Sequence, residues 1–285
     1  MMSEVFSLAV TNIDAGNPGR AVDLQPGQEP GWRVTASTIS ISVVIPTLNE
    51  AANLPHVLTR IPDMVAEVLL IDGHSIDDTI RVAREIRPDI RILLQESRGK
   101  GNALACGFAA ARGDVIVTLD ADGSADPAEI PRFIAALEAG CDFAKGSRFK
   151  PGGHSSDITR FRSFGNRMLC IAVNILFRTR YTDLCYGYNA FWSHCLPYMD
   201  VACDGFEVET LMNVRVARAP LLVAEIPSVE HARIHGESNL RAFRDGFRVL
   251  RTILAERLRR LGPTGTGNAR SPRFSELPAE PPHAA

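Results

Sequence analysis

The sequence contains no CxxC pair; its six cysteines (Cys106, Cys141, Cys170, Cys185, Cys195 and Cys203) are scattered singly. That spacing argues against a zinc ribbon or a dithiol redox motif and reads as reduced thiols, most of them in a core. Neither sign of charge is in excess. The formal net charge is -2 and the pI is near 6.4, which argues against a nucleic-acid partner held by bulk charge. No apolar run is long: the longest, "MLCIAVNILF" at 168–177, is too short to cross a bilayer. The opening "MMSEVFSLAVTNIDAG" has neither the basic start nor the apolar stretch of a signal peptide. These absences predict a cytoplasmic chain whose membrane contact, if any, is peripheral and at the inner face. No glycine-rich loop follows the first strand, where "PTLNE" stands; this argues against a nucleotidyltransferase, and no internal repeat is found.

What is present alternates. "ISVVI" (41–45), "EVLLI" (67–71), "IRILL" (90–94) and "DVIVTL" (114–119) are short apolar runs suited to strands buried on both faces. Helical segments are predicted between and after them, near 50–60, 77–87, 101–112 and 127–139. Strands alternating with helices imply right-handed crossovers and an α/β fold with a doubly wound, mostly parallel sheet. The rhythm changes near 150, with helices predicted near 164–178, 206–217 and 239–260. The predicted layout is a disordered tail (1–38), a single catalytic domain (39–238), a basic amphipathic helix (239–261) and a second disordered tail (262–285), since both ends are rich in Pro and Gly.

Ligands of an open α/β sheet bind beyond the carboxyl ends of its strands. All four predicted strands end in polar or glycine-bearing residues: "PTLNE", "DGHSIDD", "QESRGKG" and "DADGS". In the last of these, Asp120 and Asp122 can share a hard cation. Mg²⁺ or Mn²⁺ suits such oxygen ligands and is completed by substrate phosphates. The structural alternative, an Asx-turn capping the helix that begins at Pro127, is a task Asp126 already fills. Lys100, between Gly99 and Gly101, lies in a loop suited to a phosphate; a solvated lysine on a turn is its other reading.

The motifs "VVIPTLNEAANL" (43–54), "LLIDGHSIDDT" (69–79), "RGKGNAL" (98–104) and "DADGS" (120–124), in this order, resemble the family-2 glycosyltransferases with the A-type nucleotide-sugar fold. The chain is most similar to the dolichol-phosphate mannose synthase and polyprenyl-phosphate glycosyltransferase branch, over about 41–240. The resemblance implies that Pro46, Thr47 and Glu50 line the nucleotide pocket and that Asp72 recognises the base. It also implies that Ala121 lies beside the donor, between the metal-binding Asp120 and Asp122. Gly73 and His74 stand where many members have a second Asp; His74 is a nucleotide contact or a surface loop residue. Ser124 stands where mannose synthases often have Gln. Arg148, Arg162, Arg233 and Ser238 fall in segments that grip the donor diphosphate and the acceptor phosphate, and Asp183 matches an Asp near the transferred sugar. Asn239 replaces the usual Lys, with Arg241 close by.

The expected activity is inverting transfer of a hexose, mannose or glucose, from GDP-mannose or UDP-glucose to a polyprenyl phosphate, with Mg²⁺ or Mn²⁺. The alternative is a soluble hydroxyl acceptor. It needs a general base, for which Asp204, Glu207 and Glu209 are candidates, although Asp204 and Glu207 also fit a helix-capping box. Over 241–260, seven arginines face only Asp245 and Glu256. Arg241, Arg244, Arg248 and Arg251 form one helical stripe; Phe243, Phe247, Leu250 and Leu254 form another. Such a helix either lies on an anionic membrane or packs its apolar stripe on the catalytic domain.

Overall fold

Val43 and Ile45 point to one face of the first strand and Val44 to the other, and all three are fully buried. That period of two, with both faces apolar, marks a central strand covered by helices on both sides. In the computed structural model of the chain, residues 39–201, 203–236, 242–259 and 272–278 are described. The first strand, β1 (Ile41–Thr47), lies inside an eight-stranded sheet with β2 (Glu67–Asp72), β3 (Arg91–Gln95), β4 (Val115–Thr118), β5 (Phe143–Ser147), β7 (Asn189–Trp192), β8 (Val223–Pro227) and β10 (Phe274–Glu276). Two short strands, β6 (His154–Ser155) and β9 (Val229–Glu230), pair apart from it. The sheet order is β10-β3-β2-β1-β4-β7-β5-β8. β3, β2, β1 and β4 run parallel, as do β5 and β8, whereas β7 and β10 are antiparallel to their neighbours.

The connections explain the parallel half. Helices α1 (Leu54–Leu58), α2 (Thr79–Ile86) and α3 (Lys100–Ala110) carry the chain between its first four strands. Then follow α4 (Ile130–Glu138), α5 (Arg160–Phe177), α6 (Leu196–Met199), α7 (Val208–Arg218) and α8 (Ala242–Leu258). One core layer holds Val43, Ile45, Leu70, Val117 and Phe133; the other holds Val44, Ile71, Leu104, Val173 and Ile253. Helix α3 comes so close to the sheet that a Cβ on Gly107 would lie 2.3 Å from Val44 Cγ1. β1 has β2 on one side and β4 on the other, so the winding direction reverses between β1 and β4. A crevice is expected at that switch point.

Within the span 262–285, read as a loose tail, the described residues 272–278 add a strand to the sheet. Phe274–Glu276 pairs antiparallel with β3, and Arg91 fastens it through Glu276 at 2.7 Å. Without it β3 would present an unpaired row of backbone groups at the sheet edge. The tail 1–38 lies outside the described residues, as do Ser238, Asn239 and Arg241.

Candidate active site

Beyond the carboxyl ends of β1 and β4 opens a cleft of about 870 Å³. Pro46, Thr47 and Glu50 form one wall, with Lys100, Asp120, Ala121 and Asp122 on another. Arg148, Arg162 and Arg233 also line it. Residues spread over nearly 190 positions of sequence are therefore gathered at one place, where the strand order reverses.

Two ion-pair chains organise the carboxylates. Lys100, in the first turn of α3, places Nζ 2.6 Å from Asp120 Oδ1 and 2.7 Å from Glu209 Oε1. Burial works to lower the pKa of this ammonium, but the two carboxylates outweigh it and hold it well above the usual lysine range. Glu209, in the first turn of α7, is 4% exposed, and burial raises its carboxyl despite Lys100. Lys100 is fixed from below: Gly99 (φ 92) and Gly101 pass so close to the 203–204 backbone that a Cβ on Gly99 would lie 1.9 Å from the Asp204 carbonyl oxygen. In the second chain, Arg233 reaches Asp122 Oδ2 at 3.1 Å and Glu50 Oε1 at 2.9 Å. Asn53 holds that arginine's loop in place, accepting from the His235 N–H and donating to the His235 carbonyl. The other oxygen of Asp122 accepts from the Ser124 N–H at 3.0 Å, so an Asx-turn coexists with the outward-facing carboxylate. Asp126 caps the following turn through the Ala128 N–H.

Asp120 and Asp122 fit a hard divalent cation. Their side chains keep 34% and 19% exposure into the cleft. Gly187 keeps space open at the pair: a Cβ there would lie 3.0 Å from Asp120 Oδ2 and 2.9 Å from Lys100 Nζ. Among the described residues no group of three or more His, Cys, Asp or Glu is placed to hold a metal. The remaining ligands would fall to water and substrate phosphates, as is usual for Mg²⁺.

Other residues depart from the sequence expectations. Asp183, expected beside the transferred sugar, is fully buried behind the cleft wall. It accepts from Arg148 Nε at 2.7 Å and Nη2 at 3.0 Å. Burial opposes the charge on Asp183, yet the Arg148 guanidinium holds this carboxyl below the usual aspartate range. Arg148 also bonds Glu230 at 3.0 Å and stacks 4.9 Å from the Tyr186 ring. Its guanidinium is therefore engaged at 5% exposure rather than free to grip a phosphate. Asp72 lies beneath the wall at 1% exposure; its Oδ2 accepts from the Ser75 N–H, and Oδ1 is buried with no partner. Gly73 and His74 (φ 67) line the cleft beside it, as does Gln95, another residue with an unpartnered buried oxygen. Gln95 opens the polar strand end "QESRGKG" but is not among the residues singled out from the sequence; its place closing the apolar run "RILLQ" at a ligand-facing edge is the signal that marks it. Arg162 reaches Asp157 at 3.2 Å. The capping box expected from Asp204 and Glu207 does not form: α7 begins at Val208 with no side-chain cap, which puts Glu207 at the N-cap and Asp204 three residues too early, where its carbonyl accepts from Gly101 N. Of the three candidate bases, Glu209 alone lines the cleft.

A doubly wound sheet, a cleft at its switch point and an Asp-x-Asp pair facing a lysine and an arginine define an A-type nucleotide-sugar transferase. The chain belongs to glycosyl transferase family 2, whose profile matches residues 42–199. It is 32% identical over 214 residues to the undecaprenyl-phosphate mannosyltransferase of Micrococcus luteus, covering 70% of this chain and 87% of that one. It is 31% identical over 228 residues to the polyprenol monophosphomannose synthase of Mycolicibacterium smegmatis, covering 75% and 85%. Among solved structures, glucosyl-3-phosphoglycerate synthase from Mycobacterium tuberculosis, in complex with Mn²⁺, UDP and glucosyl-3-phosphoglycerate, matches with a TM-score of 0.62. The identity there is 26%, over 80% of this chain and 85% of that one.

Proposed function

We propose that the protein is an inverting glycosyltransferase that moves a hexose from a nucleoside diphosphate sugar, GDP-mannose or UDP-glucose, to a polyprenyl phosphate. The observation that carries this reading is the Asp120/Asp122 pair facing Lys100 and Arg233 across a cleft at the sheet's switch point. The polyprenyl-phosphate activities named for the two bacterial relatives support the acceptor. Asp120 and Asp122 would hold Mg²⁺ or Mn²⁺, which when bound neutralises charge on the departing diphosphate. Pro46, Thr47 and Glu50 flank the nucleotide, Asp72 lies under its base, and Ala121 packs beside the donor. Lys100 and Arg233 orient the diphosphate; Arg162, with Ser238, orients the acceptor phosphate. Arg148 and Asp183 act as positioning residues that hold the wall. An acceptor phosphate oxygen then bonds to the anomeric carbon as the bond to the diphosphate breaks. That oxygen is already anionic near neutral pH, so no strong base is required. Peripheral contact with a membrane through α8 brings enzyme and lipid together.

The test is transfer of labelled sugar from each donor with Mg²⁺, with and without polyprenyl phosphate, with Asp122→Ala as control. Label in an organic-extractable product, absent in the variant, is the expected result. One observation favours a second reading: Glu209 lines the cleft with a raised pKa, where a hydroxyl acceptor would need a base. Metal-dependent donor turnover with no lipid product, lost in Glu209→Gln, would select it.

A further inference from the structure

The apolar stripe of α8 does not pack on the catalytic domain. Val249 and Ile253 face inward, whereas Phe243, Phe247, Leu250, Leu254 and Leu258 are exposed, Phe243 at 81% and Leu258 at 83%. At about 100° per residue these five fall within a sector of roughly 80°. Helix α5 repeats the arrangement: Phe161, Phe164, Met168, Ile171 and Ile175 are exposed and share a sector of the same width, roughly 80°. The two stripes join at their amino ends, where the Phe161 and Phe243 rings are 5.1 Å apart. Ten of the sixteen large apolar side chains exposed among the described residues lie on these two helices.

Charge follows the same division. Helix α5 contains no acidic residue, and both acids of α8, Asp245 and Glu256, are buried on its inner side. The outward edges of the stripes carry exposed arginines instead: Arg160 and Arg167 on α5, Arg244, Arg251 and Arg257 on α8. On these two helices every exposed charge beside the large apolar groups is a cation, which makes the face complementary to an anionic lipid surface, where rings and aliphatic chains enter the acyl boundary and guanidinium groups remain among headgroups. The cleft reaches this face, for Arg162 and Leu169 of α5 and Gly246 and Val249 of α8 all line it.

We infer that α5 and α8 together form one docking surface for an anionic phospholipid bilayer, with the mouth of the cleft opening between them. A lipid-borne phosphate would enter from the membrane without its chain crossing water. This rests on the polyprenyl-phosphate reading for its purpose, but not for the docking itself. The test is co-sedimentation of the full chain with vesicles of phosphatidylcholine plus phosphatidylglycerol, and of phosphatidylcholine alone. The variants are Phe164→Glu/Ile171→Glu on α5 and Phe247→Glu/Leu254→Glu on α8, with thermal melts as folding controls. Wild type is expected to bind the anionic vesicles only. Each pair should weaken binding by roughly tenfold or more, about what one or two inserted apolar side chains contribute. Transfer to a short, water-dispersible isoprenyl phosphate should stay at the wild-type rate. Full binding by the α5 pair would overturn the two-helix surface, as would equal binding of wild type to uncharged vesicles or none to either. A dimer that both pairs convert to monomer would give the face to a second copy of the chain and overturn the proposal. Anionic-vesicle binding that both pairs lose, with no polyprenyl phosphate ever glycosylated, would sink the acceptor reading and leave the docking surface standing.

Discussion

Removing Lys100 should expose how the site manages its own charge. Glu209 Oε1 lies 2.7 Å from Lys100 Nζ. At an effective dielectric constant near 20 that separation gives roughly 6 kcal/mol of gross attraction. Desolvation takes back several kcal/mol for each ion, leaving a modest net gain for the intact pair. The asymmetry appears when one partner is deleted. Glu209, at 4% exposure, cannot regain water, so Lys100→Met is expected to cost about 3–5 kcal/mol. Asp120 keeps 34% side-chain exposure and is screened, so its own share is about 1 kcal/mol or less. Glu209→Gln alone leaves Lys100 paired to Asp120 and should cost about 1 kcal/mol. In the double variant no buried carboxylate is left without its cation at this position, and much of the Lys100→Met loss should return. The expected coupling is at least about 2 kcal/mol, read from urea midpoints at neutral pH across the four proteins. A double variant no more stable than Lys100→Met would refute the reasoning, because Glu209 would then not depend on Lys100.

Asp183→Asn should cost about 3–5 kcal/mol, since it leaves Arg148 buried with half its partners. Because the Asp183 carboxyl lies below its ordinary range in the fold, its contribution is complete above that range and is lost as pH falls through it. The stability gap between wild type and variant should therefore be flat near neutrality and close in acid, as denaturation midpoints against pH would show. Asp122→Asn should lower sugar transfer at least about a hundredfold while leaving the melting temperature near that of wild type, as rate assays and thermal scans would check. Gly187→Ala adds a methyl group 3.0 Å from Asp120 Oδ2 and 2.9 Å from Lys100 Nζ. Both are ends of side chains that can shift, so the fold should lose about 1 kcal/mol or less, while Mn²⁺ affinity measured by calorimetry falls.

The parallel half of the sheet was legible because its strands read as uninterrupted apolar runs, each ending at the ligand edge. The positions of Asp120 and Asp122 were legible because they follow the end of β4 closely, and that of Lys100 because glycines flank it, five residues past the end of β3. The depth of Asp183 was not legible because a sequence motif fixes neighbours along the chain and not burial. What buries it is Arg148, 35 positions earlier, drawn in by both carboxylate oxygens. The strand at Phe274–Glu276 was hidden by the surrounding Pro and Gly, since a three-residue edge strand has too little length to show a period. For α8 the two stripes were visible, but which one faces the protein was not. Sequence fixes a helix's sectors and leaves its rotation to packing, and here Val249 and Ile253 turned the larger apolar stripe outward.

The same rotation bears on how the site operates. Asp245 and Glu256 point inward with Val249, and Asp245 and Gly246 line the cleft. Arg248 lies 3.6 Å from Glu207, just ahead of the helix that carries Glu209. Helix α8 thus touches the cleft on one side while offering its apolar stripe on the other. Deeper in, Glu50, Asp120, Asp122 and Glu209 set four carboxylates against the two cations Lys100 and Arg233. The surplus of two negative charges matches a divalent ion in magnitude. Asp120 and Asp122 would hold such an ion, and its charge would compete with that of Lys100 and Arg233 for the same two carboxylates. Each of the two cations is bonded to two carboxylates and keeps only 14% or 19% side-chain exposure, so Lys100 and Arg233 stand at the Asp120/Asp122 pair as its counter-ions.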